Sequence, residues 1–185
     1  MRDRAFTPIE TDRLRLRRFE PKDIGAFHAY RADERVALFQ SWQDYTVEQA
    51  RRFVEEMAKE DPGVPGVPFQ FAVAELDHDL LIGDCMLTLD AADPPGAEIG
   101  FTVAPAHQGR GVATEAVRAL LAYAFERQDV GTVRAVIDAD NEPSIGVVEH
   151  LGFRLVGTMR TTFKGTPCDE HTYAISGTDR QVSAG

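Results

Sequence analysis

The residues whose types and spacing best suit chemistry are Gln108, Gly109, Arg110, Gly111, Val112, Ala113 and Thr114. An alternating apolar run over 97–103 leads into them. A helical pattern leaves them, with Val117, Leu120, Leu121, Ala124 and Phe125 on one side to about Arg127. This predicts a strand, a glycine bend and a helix start. The first N–H groups of a helix have no carbonyl partner within it, and the aligned peptide dipoles add partial positive charge there. Two glycines and the small Ala113 let the backbone approach an anion without obstruction by a Cβ, and Arg110 offers a guanidinium nearby. The chemistry implied is capture of a phosphate or diphosphate.

Three kinds of anion loop fit to different degrees. The phosphate-loop ATPase pattern fails because no Gly-Lys-Ser/Thr follows at the required spacing. The dinucleotide fingerprint is closer, because Gly109-x-Gly111-x-x-Thr114 follows a strand and the next strand ends at Asp138, roughly 20 residues on. Its third small residue is threonine, however, and a nucleotide-binding module would need βαβα alternation throughout. The third pattern is Gln108-x-x-Gly111-x-Ala113.

That third unit resembles the acyl-CoA loop of the GNAT N-acetyltransferases. Asp140-Asn141-Glu142-Pro143-Ser144 and then His150-Leu151-Gly152-Phe153 resemble the block that follows it in that superfamily. Thr11-Asp12-Arg13-Leu14-Arg15-Leu16-Arg17, Glu98-Ile99-Gly100-Phe101 and Ala113-Thr114-Glu115-Ala116 resemble its Rim-type branch, the ribosomal-protein N-terminal acetyltransferases. The matches keep their order over roughly residues 11–176. They imply one GNAT domain over residues 1–185, acetyl-CoA as co-substrate, no metal, and an amine acceptor. They also imply two parallel strands that splay to admit the acyl-CoA arm, and they are compatible with a homodimer. By the same resemblance the cofactor would be held by Phe101, Thr102 and Val103 at the strand end, by Gln108 to Thr114, and by Asn141 and Ser144.

Transfer from a thioester to an amine needs a neutral amine, a stabilised carbonyl oxygen and a departing thiolate. An α-amine, with a reference pKa of about 7.7–8.0, needs only a weak base, whereas a lysine at about 10.4 needs more help. Glu98 is the first candidate for that base, since Ile99 and Phe101 point to the opposite face and apolar surroundings would raise its basicity. Glu170 on the last strand is the second candidate, and a bound water is the third. A solvated Glu at a strand edge is the non-catalytic alternative for Glu98. The N–H near Val103 is the oxyanion donor that the resemblance implies. Many relatives place a tyrosine four residues before the glycine of Gly-Phe; this chain has Val148 there, and Ser144 is the substitute acid. Ser144 serves equally as a helix-capping or packing residue. The missing tyrosine leaves open a non-catalytic acyl-CoA sensor on the same fold.

The remaining elements must position these groups. Arg13–Arg18 alternates as a strand, and Pro21 opens a helix to about Ala32. Within 36–45, Trp42 is a packing anchor or a wall of the acceptor pocket. Thr46 and Gln49 form a capping box before a helix with Val47, Ala50, Val54 and Met57 on its inner stripe. Strands follow at 69–74, 81–89 and 97–103, with Gly83 marking a bulge. Gly131 ends the long helix, and the next strand ends at Asp138. A short helix from Pro143, a strand to about Met159, a hairpin loop at Lys164-Gly165-Thr166-Pro167 and a last strand through His171, Tyr173 and Ile175 complete the chain, and 177–185 reads as a frayed tail. The tally is an α+β fold with a mixed, mostly antiparallel sheet of six to seven strands, flanking helices and one parallel βαβ crossover.

The 185 residues carry 20 basic and 30 acidic side chains, a formal charge of −10. That charge disfavours a phosphate backbone as partner, so nucleic acid is not expected. It suits a cationic acceptor, or serves solubility alone. No run of about 18 apolar residues spans a membrane. The N-terminal stretch lacks the apolar core of a secretory signal. Cys85 and Cys168 form no paired motif, and both are expected as free thiols in a cytoplasmic protein. The five histidines show no metal-ligand spacing, and His107 reads as loop surface beside the bend.

Overall fold

The structure, a computed structural model, describes residues 6–178. Eight strands form one sheet: β1 (Ile9–Glu10), β2 (Leu14–Arg17), β3 (Phe69–Glu75), β4 (Leu81–Leu89), β5 (Gly96–Val103), β6 (Thr132–Asp138), β7 (Arg154–Phe163) and β8 (Thr166–Ser176). Their spatial order is β1-β2-β3-β4-β5-β6-β8-β7. Every neighbouring pair is antiparallel except β5 and β6. That arrangement removes the dinucleotide alternative, which needs a doubly wound parallel sheet. The strand beyond the expected seven is β1, whose two residues are too few to show a period.

The parallel pair is the feature that makes a site. Gly96, Ala97 and Glu98 pair with Thr132, Val133 and Arg134. Pairing between them then stops, although β5 runs on to Val103 and β6 to Asp138. On their outer edges both strands stay paired, β5 with β4 as far as Val103 and β6 with β8 as far as Asp138. The two strands therefore part like a wedge, held open by their outer neighbours.

Helix α4 (Val112–Arg127) joins β5 to β6 across one face of the sheet, giving the expected crossover. It buries Val112, Ala116, Val117, Leu120 and Leu121 against Phe71, Val73, Leu87, Ile99 and Val133. The opposite face is covered by α1 (Ile24–Arg31) and α3 (Val47–Met57), where Phe19, Phe27, Ala50 and Val54 meet Ala72. Phe27 stacks on Phe53 with ring centroids 4.9 Å apart. A short helix, α2 (Glu34–Ala37), follows α1, and α5 (Glu142–His150) follows β6.

Thr46 and Gln49 cap α3 reciprocally: each side chain bonds the other's backbone N–H, at 3.2 and 2.7 Å. Thr46→Ala should cost about 1 kcal/mol, lowering Tm by roughly 2–4 °C, and a thermal melt followed by circular dichroism would show it. Val47 departs from the expected stripe. It is the first residue of α3 and remains 40% exposed, while Ala50 and Val54 are fully buried.

Gly131 is not the left-handed residue after α4. Asp129 is, at φ 54°, and Val130 N–H returns to Ala124 O at 3.2 Å. Gly131 instead lies against Pro94, whose ring leaves little room for a side chain. Gly83 does sit beside a register shift, where Val73 pairs with Gly83 and Ala74 with Leu81. Of the expected tail, 179–185 lies outside the described residues.

Candidate active site

The bend between β5 and α4 is built from backbone. Gly109 and Gly111 both have left-handed φ, 70° and 77°, and Gly111 is the cap residue of α4. No side chain caps this helix, so its first N–H groups open onto the wedge. Ala104 N–H donates to Ile82 O at 2.8 Å. Bonding to an antiparallel neighbour alternates along a strand. The main-chain groups of Phe101 and Val103 therefore turn away from β4, toward the gap. The Gln108 side-chain amide donates to Val103 O at 2.9 Å, tying the bend to the strand end.

Two cavities occupy the wedge. The first, about 450 Å³, is lined by Phe101, Thr102 and Val103 of β5 and by Gln108, Gly109 and Gly111 of the bend. Val112, Ala113 and Thr114 of α4 complete one side, and Asn141, Pro143, Ser144 and Val147 face them. Arg110 does not line it. Its side chain is exposed, and its carbonyl accepts from Arg13 Nη1 at 3.2 Å. Gly109 and Gly111, with their left-handed φ, flank it on either side. The second cavity, about 310 Å³, lies on the other side of the β5 end and is lined by Glu98, Arg31, Trp42, Gln70, Asp138 and Ser144, among others. Phe39, Gln40, Phe101, Thr102, Asn141 and Ser144 line both cavities and form their common wall. A larger hollow, about 720 Å³, lies behind α4 against Ile9–Arg13, away from the common wall.

Glu98 is exposed, with Ala97 and Ile99 buried behind it. The apolar enclosure expected around its carboxylate is absent, because alternation sets which face a residue takes but not what covers that face. Its register partners are Thr88 and Arg134. Glu170 pairs with Asp138 on the far side of β6 and is not part of the second cavity's lining. Val148 is fully buried in the core, and its neighbour Val147 faces the first cavity. Asn141 Oδ1 accepts from Ser144 N–H at 3.3 Å, so Asn141 is the helix cap, and Ser144 lies in the common wall. Trp42 Nε1 donates to Arg31 O at 3.0 Å, so it packs as an anchor, and the residue also lines the second cavity. Arg31, Gln70 and Asp138 were not among the expected site residues. They lie on α1, β3 and the end of β6, outside any contiguous motif, and only the sheet brings them together.

The bend is braced from behind. Glu115 accepts from Thr11 Oγ1 at 2.6 Å and from Arg13 Nε at 2.8 Å, fixing the β1–β2 turn to the first turn of α4. Burial pushes the Glu115 carboxyl up, but the bonds from Thr11 and Arg13 more than offset this and its pKa is lowered. A lowered pKa means stability that is present above the unfolded value and is lost as pH falls through the folded one. Glu115→Gln should therefore be less stable near neutral pH by under about 1 kcal/mol, since Arg13 is largely solvated. The deficit should vanish in acid, and urea unfolding at both pH values would show this.

Residues 13–154 match the model of the acetyltransferase (GNAT) domain. The chain belongs to the GNAT acetyltransferase family. It is 30% identical over 170 residues to the uncharacterized N-acetyltransferase p20 of Bacillus licheniformis, covering 90% of this chain and 94% of that one. A GNAT-family acetyltransferase from Bacillus anthracis has the same fold, with a TM-score of 0.80, 28% identity, and coverage of 92% and 98%. The spermidine N-acetyltransferase of Vibrio cholerae, solved with CoA and spermine, shares the fold at a TM-score of 0.78 and 19% identity, covering 92% and 99%. As a GNAT enzyme this chain is an acetyl-CoA-dependent acetyltransferase.

Proposed function

We propose that this GNAT enzyme transfers acetyl from acetyl-CoA to a protein N-terminal α-amine or to a small-molecule amine, by direct attack in a ternary complex. The observation that carries this is the common wall. Two cavities meet at Phe101, Thr102 and Ser144, one opening on the glycine bend and the other on the carboxylates of Glu98 and Asp138.

The diphosphate of acetyl-CoA would lie on the N–H groups of the bend and the start of α4, where the dipole favours negative charge. Asn141 would hold the amides of the arm. The thioester carbonyl oxygen would accept from Val103 N–H, a donor already fixed by the sheet. The amine enters from the second cavity, and its nitrogen attacks the carbonyl carbon. Glu98 takes the amine proton, directly or through water. As the tetrahedral centre collapses the C–S bond breaks, and the Ser144 hydroxyl donates to the departing thiolate. A thiol with a pKa near 8.5 leaves with little help, so the loss of the tyrosine at Val148 is tolerable.

Thiol release from acetyl-CoA, measured across peptide N-termini, amino acids, polyamines and amine antibiotics, tests the proposal. Release with an α-amine and formation of the acetylated product are expected. Tight acetyl-CoA binding with no release across the whole panel would instead leave an acyl-CoA sensor.

A further inference from the structure

Beneath the second cavity lies a buried polar cluster that no step of acetyl transfer employs. Asp84 on β4 is 1% exposed and accepts from Tyr30 Oη and Gln70 Nε2, and from Arg31 Nη2 at 3.2 Å. The Arg31 guanidinium is enclosed by rings, with its central carbon 3.9 Å from the Trp42 centroid and 4.5 Å from that of Phe27. Burial and the neighbouring Asp84 raise the Tyr30 phenol, which keeps it a hydrogen-bond donor.

Arg31 is under-used for so buried a cation. Arg17, buried to a similar degree, engages all three of its nitrogens: Nε with Asp79 at 2.8 Å, Nη1 with Asp23 at 2.7 Å and Nη2 with Asp23 at 2.9 Å. Arg31 Nε is closed to solvent and has no hydrogen-bond partner among the described residues. Buried donors left unpaired are costly and rare in native proteins. The Arg31 side chain also lines the second cavity together with Glu98 and Asp138. One end of that cavity is therefore bounded by a guanidinium, a group suited to an sp² oxygen, and the rest offers carboxylates suited to an amine.

We propose that Arg31 is the specificity residue for the acceptor, taking a carbonyl oxygen on the carbon next to the one that bears the reacting amine. The chemical class is an α-aminoacyl unit with a neutral carbonyl, as in a peptide N-terminus or an amino-acid amide. The charges around the cavity decide between carbonyl and carboxylate. Asp84 cancels Arg31, which leaves Glu98 and Asp138 to disfavour a second anion. A polyamine has no oxygen to offer. This rests on the second cavity being the acceptor site.

The test compares amino-acid amides, the free amino acids and the corresponding decarboxylated amines, with rates corrected for the neutral-amine fraction. The amide should exceed the decarboxylated amine in kcat/KM by roughly 10- to 100-fold, the range of one charge-assisted bond, and should also exceed the free acid. Arg31→Lys should reduce the ratio to a few-fold through the acceptor KM, with the acetyl-CoA KM unchanged. The pair Arg31→Met with Asp84→Asn removes both charges and should do the same without stranding a buried ion. Equal use of amide and decarboxylated amine by the unaltered enzyme, or a preference that survives in a folded variant, would overturn the role of Arg31. If neither variant folds, the ratio in the unaltered enzyme decides. No acetylation of any amine would overturn the amine-acceptor proposal itself, a result distinct from indiscriminate acetylation.

Discussion

Replacing Glu98 by glutamine should lower kcat for an α-amine acceptor by about 100-fold while leaving the acetyl-CoA Kd unchanged. Glutamine keeps the size and the hydrogen bonding but removes the proton acceptor. Glu98 reaches only the second cavity, whereas the first is lined by residues from 101 onward in β5. An effect confined to chemistry is therefore expected. The pH profile separates a base from a merely local charge. With Glu98 absent, the rate should follow titration of the acceptor amine alone, near pH 7.7–8.0 for an α-amine by its reference value of about that range. Single-turnover rates for the two proteins across that range would settle the matter. Profiles of equal height and shape would assign proton removal to water or to Asp138.

Gly83→Ala should be strongly destabilising for a single methyl, at about 3 kcal/mol and roughly 6–12 °C in Tm. A Cβ at residue 83 would stand 2.4 Å from Thr102 O and 3.2 Å from Val103 Cα. Both are backbone atoms, so neither can rotate away, and β5 itself must shift in the stretch beyond its pairing with β6. Acetyl-CoA affinity should fall together with stability, because the displaced residues line the first cavity. Gly157→Ala is the control. Nothing lies within 4 Å of its Cβ position, and a change within about 0.5 kcal/mol is expected. Gly109→Ala lies between them, with open space around it but a φ of 70°, a strain of about 1–2 kcal/mol. Thermal melts and calorimetric titration of the three variants would rank them.

What the sequence revealed was what depends on nearby residues. The glycine bend, the start of α4 and the Thr46 cap each follow from the chemistry of a few adjacent positions. The alternation of Glu98 with Ala97 and Ile99 told which way each side chain points. It could not tell that nothing would cover Glu98. Arg31 was illegible for a related reason. An arginine at the end of an amphipathic helix reads as solvent surface, and only the arrival of β4 with Asp84 and of the Trp42 segment buries it.

The wall shared by the two cavities has a consequence for ligand design. A single molecule joining the CoA sulfur through a short acyl bridge to an acceptor amine would occupy both rooms at once. It would lose its freedom of tumbling only once, so it should be retained about 100-fold more tightly than either half alone.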